Sequence, residues 1–215
     1  KNVQSNFSNN LEILPDDTAP SVGEPVGIKD VYYIGDQVNF TVNIADESNG
    51  SGINRANAIT LPSGWTARFD KNANGYSGTY TISGVIPDNQ PIRSDITFTI
   101  TATDNANNTS NDSQSRQITI HVGALSDAHP PVVLANNEKV LVANPAAITQ
   151  TEQQSAVQAL TAKNSHIQQY LRTSNPIVVT TNGNITVYYK DGSSKLLEPN
   201  SAFTYNVVRK AQYAY

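Results

Sequence analysis

The residues most suggestive of chemistry lie in the stretch RFDKNANGYSG, where oxygen-bearing side chains recur at alternate positions. Asp70, Asn72 and Asn74 have this spacing, and Gly75 follows at the sixth position, as in the first half of an EF-hand calcium loop. The twelfth position is Thr81, whereas such a loop needs a bidentate Glu there. Because an Asn-Gly pair tolerates the positive φ of a hairpin turn, the stretch predicts a turn between two strands.

A second candidate metal site comes from acidic residues in loops that follow predicted strands. Such carboxylates can converge at one pole of a sandwich, and oxygen-rich loops of this kind can hold calcium. The same residue types are common in loops for another reason, since they accept hydrogen bonds from nearby backbone N–H groups. Calcium is therefore the alternative to our expectation of no metal and no cofactor. The candidate ligands are Asp46, Glu47, Asp104 and Asp112, which Asp16 and Asp17 could join from the preceding segment.

The sequence offers no set of residues typical of catalysis. The three histidines, His121, His129 and His166, are far apart and lack a metal-ligand spacing. We expect the first on the exposed face of a strand, the second in a linker and the third near a helix end. There is no GxSxG nucleophile elbow and no glycine-rich phosphate loop. We therefore expect a protein that is not an enzyme, and the sequence does not identify its ligand-binding residues.

Composition limits the remaining possibilities. A chain of 215 residues suits one or two domains, each able to bury a proper core. It has no cysteine for a disulfide or a thiolate metal site, and the absence of Met even at position 1 predicts a fragment. No apolar run approaches the ~18 residues of a membrane span, so we expect no membrane insertion. The low charged fraction of 15%, with abundant Asn, Thr, Ser and Gln, is typical of exported Gram-positive proteins.

Charge is distributed unevenly along the chain. Residues 1–125 contain 7 Lys and Arg against 13 Asp and Glu, whereas residues 126–215 contain 7 against 5. The acidic first part gives no electrostatic reason to bind nucleic acid, and the second part has no basic cluster. We therefore expect no nucleic-acid partner.

The elements that must position these residues differ between the two parts of the chain. After a polar segment at 1–20, apolar residues alternate with polar ones in TVNI, ITFTI and ITIHV, which predicts strands with one buried face. Six or seven short strands bounded by Gly, Pro or Asn predict a β-sandwich over residues 21–125, with Trp65 as a core anchor. The stretch ALSDAHPPVV interrupts the pattern, so a boundary is placed near 124–130.

Residues 126–215 predict a small α+β domain with one main helix packed on a β-sheet. Thr149 followed by Glu152 is a capping box, so a helix is expected to begin there and continue through QTEQQSAVQALTAKN. Four or five short strands surround it, with Asn182-Gly183 and Asp191-Gly192 as hairpin turns. The whole chain is thus mainly β, an immunoglobulin-like sandwich followed by an α+β module.

Both parts resemble known modules of bacterial surface proteins. DDTAPSV, IADESNGSGI and ITATDNANNTS are similar to the immunoglobulin-like modules of Gram-positive surface proteins, which have an Asp-Thr-Ala-Pro-type linker and a TATDNAGN-type hairpin. VANPAAITQTEQQSAVQALTAKN with GNITVYYKDGSSKLL resembles a module of wall-anchored proteins in which a helix precedes TVTYPDGS. Together they resemble part of the very large staphylococcal matrix-binding surface adhesins.

The resemblance implies a role at the bacterial cell surface, associated with the cell wall. It implies attachment to a host extracellular-matrix protein such as fibronectin, with neighbouring modules of the same chain as further partners, and it supplies no catalytic residues. One alternative is a rigid spacer that displays a binding region located elsewhere. A second is a carbohydrate-binding module, which would require Trp65 to be solvent-facing.

Overall fold

The computed structural model describes residues 14–206. Within this range the chain forms two compact units that interleave along the sequence. Unit 1 comprises residues 14–29, 37–85 and 96–120, and unit 2 comprises residues 30–36, 86–95 and 121–206. The division of the chain into domains at 21–125 and 126–215 stays a prediction.

Seven strands in the first part of the chain form two antiparallel sheets. One sheet has the strand order β1-β2-β5-β4, and the other has the order β3-β6-β7. The sheets therefore have the two-layer organisation that the sequence pattern predicts. The strands are β1 (Ser21–Val22), β2 (Gln37–Ala45), β3 (Ile53–Ile59), β4 (Thr66–Lys71), β5 (Ser77–Val85), β6 (Ser94–Asp104) and β7 (Arg116–Val122).

The core of unit 1 follows the alternation of apolar residues along the strands. In β2, every second residue from Val38 to Ile44 is buried. The Phe40 ring in β2 lies 6.2 Å from the Phe98 ring in β6, which links the two sheets. Trp65 packs edge to face on Phe98 at 6.2 Å and is only 8% exposed, so it is a core anchor as predicted.

The stretch between β4 and β5 is a hairpin turn. Gly75 has φ +78°, which favours glycine, and its N–H donates to the Asn72 carbonyl at 3.0 Å. The Asn74 side-chain oxygen accepts from the Tyr76 N–H at 3.0 Å. The side chains of Asn72 and Asn74 therefore bond within this turn, whereas Asp70 pairs with Arg68 of the same strand.

The segment before β1 is joined to unit 1 by hydrogen bonds from one loop. The Ser110 hydroxyl, which is buried, donates to the Pro20 carbonyl at 2.7 Å. The Gln114 amide donates to the Ala19 carbonyl at 3.0 Å, and the Asn108 amide donates to the Asp16 carbonyl at 3.0 Å. Residues 16–20, the end of the polar segment 1–20, are thus held against the sandwich. The first thirteen residues lie outside the described range.

After β7, unit 2 contains two helices and five short strands. Its strands form a three-stranded antiparallel sheet, β11-β10-β9, and a parallel pair, β12-β8. The Asn182-Gly183 and Asp191-Gly192 pairs lie in the hairpins between β9, β10 and β11, as predicted. The elements are α1 (Leu125–Ala128), β8 (Val140–Leu141), α2 (Gln150–Lys163), β9 (Ile177–Val179), β10 (Ile185–Tyr188), β11 (Ser194–Leu197) and β12 (Phe203–Thr204), with 3₁₀ turns at Asn136–Glu138, Ser165–Tyr170 and Pro199–Ser201.

Helix α2 covers the three-stranded sheet. Its Ala156 and Leu160 are fully buried among the sheet residues Ile185 and Val187 and other apolar side chains of the unit. Among residues 14–206, no helix is long and apolar enough to cross a membrane. The prediction of a mainly β chain with one main helix on a sheet is confirmed.

The start of α2 is the predicted capping box. The Glu152 N–H donates to the Thr149 hydroxyl at 3.2 Å, and the Glu152 carboxylate accepts from the Thr149 N–H at 2.9 Å. Both bonds satisfy N–H groups that a helix start otherwise leaves without a partner.

Replacing Thr149 by Ala should lower the free energy of unfolding by about 1 kcal/mol, because the cap bond to the Glu152 N–H is lost. Thr149→Ser keeps the hydroxyl and should stay close to the parent protein. Urea unfolding followed by far-UV circular dichroism compares the two variants. Equal stability of Ala and Ser variants would contradict a capping role.

The stretch ALSDAHPPVV is a folded part of unit 2. Residues Leu125–Ala128 form one helical turn, and Pro130 and Pro131 follow it in a non-helical stretch. The Leu125 side chain is buried in the unit 2 core, and its N–H donates to the Asp191 carboxylate at 2.8 Å. The sequence pattern did not reveal this helix, because one turn is too short to show an apolar period.

Candidate functional site

Three carboxylates converge where β2 ends in unit 1. Asp46 and Glu47 directly follow the strand, and Asp16 reaches them from the segment before β1. One carboxylate oxygen from each lies within 4.8 Å of the other two. All three side chains are half-buried. This acid cluster is the arrangement of the candidate ligands closest to a metal site in the part of the chain described.

Backbone N–H groups of the following loop hold the acid cluster in place. The Asp16 carboxylate accepts from the Ser51 N–H at 2.6 Å, and the Asp46 Oδ2 accepts from the Gly52 N–H at 2.9 Å. The segment that carries Asp16 therefore meets the loop between β2 and β3 at the acid cluster. The bond from the Asn108 amide to the Asp16 carbonyl joins a third chain segment to them.

Asp104 and Asp112, the remaining candidate ligands, are not in the acid cluster. Asp104 is fully buried, and its two oxygens accept from the Asn108 N–H at 2.8 Å and from the Asn108 side-chain amide at 2.7 Å. Asp112 is exposed in the loop before β7. Asp104 thus orders a turn, which is the alternative role that acidic loop residues have.

The two best-placed carboxyl groups of the acid cluster differ strongly in acidity. Hydrogen bonds from Ser51 lower the pKa of Asp16 to about 2. Burial and the adjacent Glu47 carboxyl raise the pKa of Asp46 to about 6. At neutral pH the acid cluster therefore concentrates negative charge, whereas below pH 6 it can retain a proton on Asp46.

One oxygen of the acid cluster has no partner. The Asp46 Oδ1 is buried and accepts no hydrogen bond from any described residue. A cation or a proton shared with Glu47 would each satisfy this oxygen, because both neutralise the repulsion between adjacent carboxylates. Calcium binding at Asp16, Asp46 and Glu47 fits the donor chemistry and stays a prediction.

The acid cluster predicts a change of stability with pH. A carboxyl group with a raised folded pKa favours the folded state below its unfolded pKa near 4, and this advantage disappears as pH rises through about 6. Asp16, whose pKa is lowered, changes the stability only at lower pH. Its ionised carboxylate stabilises the folded state above pH 4, and this stabilisation is lost as pH falls from about 4 towards 2. Between pH 4 and 6 the Asp46 effect therefore dominates within the acid cluster.

Asp46→Asn should remove most of this pH dependence. We expect the variant to be about 1 kcal/mol more stable than the parent at pH 7, after allowance for solvent screening, and to converge with it near pH 4. Chemical unfolding at several pH values between 4 and 7 tests this. The matched control is Asp112→Asn, an exposed carboxylate outside the acid cluster, whose profile should follow the parent. Parallel profiles for parent and Asp46→Asn would refute the assignment.

The histidines are not brought together with a carboxylate and a nucleophile. His121 is exposed on β7 and pairs with Asp95 at 2.7 Å, and His166 is exposed in the 3₁₀ turn after α2. His129, expected in a linker, stacks on the Tyr170 ring at 3.6 Å, and its carbonyl accepts from the Tyr189 hydroxyl at 2.6 Å. These contacts are structural.

Trp65 is not an exposed aromatic platform. Its indole N–H donates to the Val85 carbonyl at 3.1 Å, and the ring covers Gly84 of β5. The carbohydrate-binding alternative required a solvent-facing Trp65, and this requirement is not met.

Comparison with known proteins gives two kinds of sequence match. Residues 132–206 match the family model of the atypical Rib domain. Over 213 residues the chain is 47% identical to Staphylococcus aureus proteins named extracellular matrix-binding protein EbhB and extracellular matrix-binding protein ebh. The match covers 99% of this chain but 5% and 2% of those relatives. The predicted resemblance to very large staphylococcal matrix-binding proteins is confirmed, and the chain spans a small part of their length.

Solved structures share the fold at low sequence identity. The sialic acid binding region of a Streptococcus sanguinis adhesin, solved with 3'sLn, matches with a TM-score of 0.59 and 20% identity, covering 90% of this chain and 49% of the other. The SrpA adhesin of the same species matches with a TM-score of 0.55 and 22% identity, covering 88% and 95%. These likenesses concern the fold alone.

Proposed function

We propose that this chain is a non-catalytic module pair of a bacterial cell-surface adhesin and that it contributes to attachment to host extracellular matrix. The observation that carries this proposal is the 47% identity over 213 residues to proteins named for matrix binding. That match runs through both units, so it supports a shared role for the pair rather than for one module.

The proposal includes a location and a partner. The protein acts outside the cell, associated with the cell wall, and fibronectin is the first matrix protein to test. Support for a surface role comes from the named relatives and from the polar, cysteine-free composition. We further propose that the chain is not an enzyme and that its neighbours in the longer protein are additional partners.

A spacer role is the second candidate, and one structural observation favours it. The segment that leads into unit 1 is held by Asn108, Ser110 and Gln114, so residues 16–20 follow a fixed path along the module. A fixed path limits bending where a module joins the preceding chain. Such a module could display a binding region elsewhere without contacting the matrix itself.

Surface-based binding of the full chain to fibronectin, fibrinogen, collagen and whole serum separates these two roles. Saturable binding of the chain supports the adhesive role. Binding no greater than that of an unrelated immunoglobulin-like stalk module overturns that role and leaves the spacer. Each measurement is made with calcium and with a chelator, because calcium in the acid cluster stays a prediction.

Thermal unfolding tests whether the acid cluster binds calcium. If the acid cluster holds calcium, the ion raises the melting temperature of the parent chain and has no effect on Asp46→Asn.

Limited proteolysis tests the proposed boundary near 124–130. Because Leu125 is buried in the core of unit 2, cleavage after residue 125 in the folded chain would contradict the structure at this point.

A further inference from the structure

A groove of about 560 Å³ lies between α2 and β9 in unit 2. One wall is the strand β9, residues Ile177–Val179, and the other is the part of the helix from residue 150 to residue 158. The groove is open along one side and contains both apolar and polar groups. None of the functions considered above uses it.

The β9 wall is the edge strand of its sheet, where Ile177 and Val179 are 4% and 9% exposed. The strand β9 is at the end of the order β11-β10-β9, and Val178 pairs with Thr186 of β10. The neighbouring bonds join Tyr188 N–H to the Pro176 carbonyl and Thr180 N–H to the Asn184 carbonyl. Because backbone groups alternate in direction along an antiparallel strand, the N–H and C=O of Ile177 and Val179 point away from β10. They have no hydrogen-bond partner among residues 14–206.

The helix wall presents side-chain amides. Gln150, Gln154 and Gln158 are spaced four residues apart, so they share one face of α2, and all three line the groove. They are exposed, and no described residue bonds to their carboxamides. Each amide offers both donors and an acceptor, which suits polar side chains or peptide groups of a ligand.

Arg172 is the one charged residue that lines the groove. Its guanidinium lies 3.8 Å from the Tyr188 ring centroid, and Nε and Nη2 donate to the Asn175 carbonyl at 3.2 and 2.9 Å. Among the described arginines, Arg68, Arg93 and Arg116 each pair with a carboxylate, whereas Arg55 and Arg172 do not. Arg172 pairs with none in the described part of the chain, and its Nη1 has no partner there. A positioned guanidinium without a carboxylate favours an acidic group on the ligand.

We propose that the groove binds an extended polypeptide segment that adds to β9 as a strand and carries an acidic side chain opposite Arg172. The spacing of the free N–H and C=O groups on Ile177 and Val179 matches an extended backbone, which is how strand addition gains affinity. Side chains on the outer face of the added strand continue the row Val178, Thr186 and Leu196, of which Leu196 is 76% exposed. The surface thus favours an apolar residue there.

The chemistry disfavours two other occupants. A glycan would stack on an exposed aromatic ring, but the face of Tyr188, next to the groove, is covered by Arg172. A second copy of this chain paired through β9 would present RTSNPIVVTTN, residues 172–182, which has no Asp or Glu for Arg172. This proposal does not depend on matrix attachment, because it requires only an extended polypeptide segment that carries an acidic side chain.

Titration of the isotopically labelled full chain with a capped peptide, Asp-Thr-Val-Thr-Val-Thr, tests the proposal by NMR. We expect the amide signals of Ile177 and Val179 to shift and their hydrogen exchange to slow, with a dissociation constant on the order of 0.1–1 mM for so short a strand. The same peptide with N-methylated backbone amides should lose this effect. A peptide with Lys in place of Asp should bind about tenfold more weakly.

Charge reversal supplies the second measurement. Arg172→Glu should weaken binding of the acidic peptide at least tenfold and improve binding of the Lys peptide. The matched control, Lys195→Glu, makes the same charge change at an exposed position of β11 and should leave the preference unchanged. No shift at Ile177 and Val179 with the acidic peptide at several millimolar overturns the proposal. So do shifts that survive N-methylation, shifts caused instead by a sialylated oligosaccharide, or dimerisation through this edge without peptide.

Discussion

Gly84→Ala should destabilise unit 1 by about 3 kcal/mol, although it adds a single methyl group. A Cβ atom at this position would lie 2.2 Å from Cγ of Trp65, well inside van der Waals contact. The indole cannot move inward, because it packs on Phe98. It must therefore leave its site, which loses apolar burial and the bond from its N–H to the Val85 carbonyl. The estimate lies between the usual cost of overpacking a core and the cost of deleting a buried Trp.

Trp65 is the only tryptophan, so its fluorescence reports the change directly. Urea unfolding gives the loss of stability, and stronger quenching by iodide shows that the indole has become exposed. The matched control is a double-mutant cycle. In a Trp65→Ala background the clash is absent, so Gly84→Ala should then be nearly neutral. Equal costs in both backgrounds would show that the indole is not the cause.

Asn164 is the second residue whose replacement should have a large effect. It follows the last residue of α2 and is 1% exposed. Its Oδ1 accepts from the Val132 N–H at 2.7 Å, and its Nδ2 donates to the Val132 and Leu160 carbonyls, both at 2.9 Å. Asn164→Ala should cost about 3 kcal/mol, because three bonds are lost and buried backbone groups are left without partners.

Asn164→Asp separates hydrogen bonding from side-chain volume. The carboxylate keeps the acceptor for the Val132 N–H, but its second oxygen faces the two carbonyls to which the amide donated. We therefore expect the free energy of unfolding at pH 7 to fall at least as much as in the Ala variant. Protonation of the carboxyl restores one donor, and the Asp variant should therefore regain stability at acid pH, whereas the Ala variant should not. Far-UV circular dichroism measures both. Gln158→Ala, an exposed change on α2, should stay within about 0.5 kcal/mol of the parent.

The parts of the fold that could be predicted are those with a repeating local signal. The alternation from Val38 to Ile44 predicted β2, and Thr149 with Glu152 predicted the start of α2. Asn182-Gly183 and Asp191-Gly192 predicted hairpins because their turn geometry depends on adjacent residues alone. Trp65 was predicted to be a core anchor because it is the only tryptophan and lies among the short strands of the predicted sandwich.

The acid cluster could be predicted only in part. Asp46 and Glu47 were candidates because they directly follow a strand. Whether Asp16 or Asp104 would join them depends on Asn108, whose amide bonds to both the Asp16 carbonyl and the Asp104 carboxylate. That choice results from packing between distant segments and leaves no local pattern. The two-residue strands β8 and β12 are likewise too short to show alternation.

The parallel pairing of β8 with β12 has a mechanical consequence. The two strands lie near the beginning and the end of residues 132–206, and three backbone bonds join their neighbourhood: Leu134 N–H to Ser201, Val140 N–H to Ala202 and Val142 N–H to Thr204. In a parallel pair, tension drawn through the incoming and outgoing chain pulls the strands in opposite directions along their length. The bonds then share the load and must break together. A module built this way resists tension along its chain better than one whose bonds open singly.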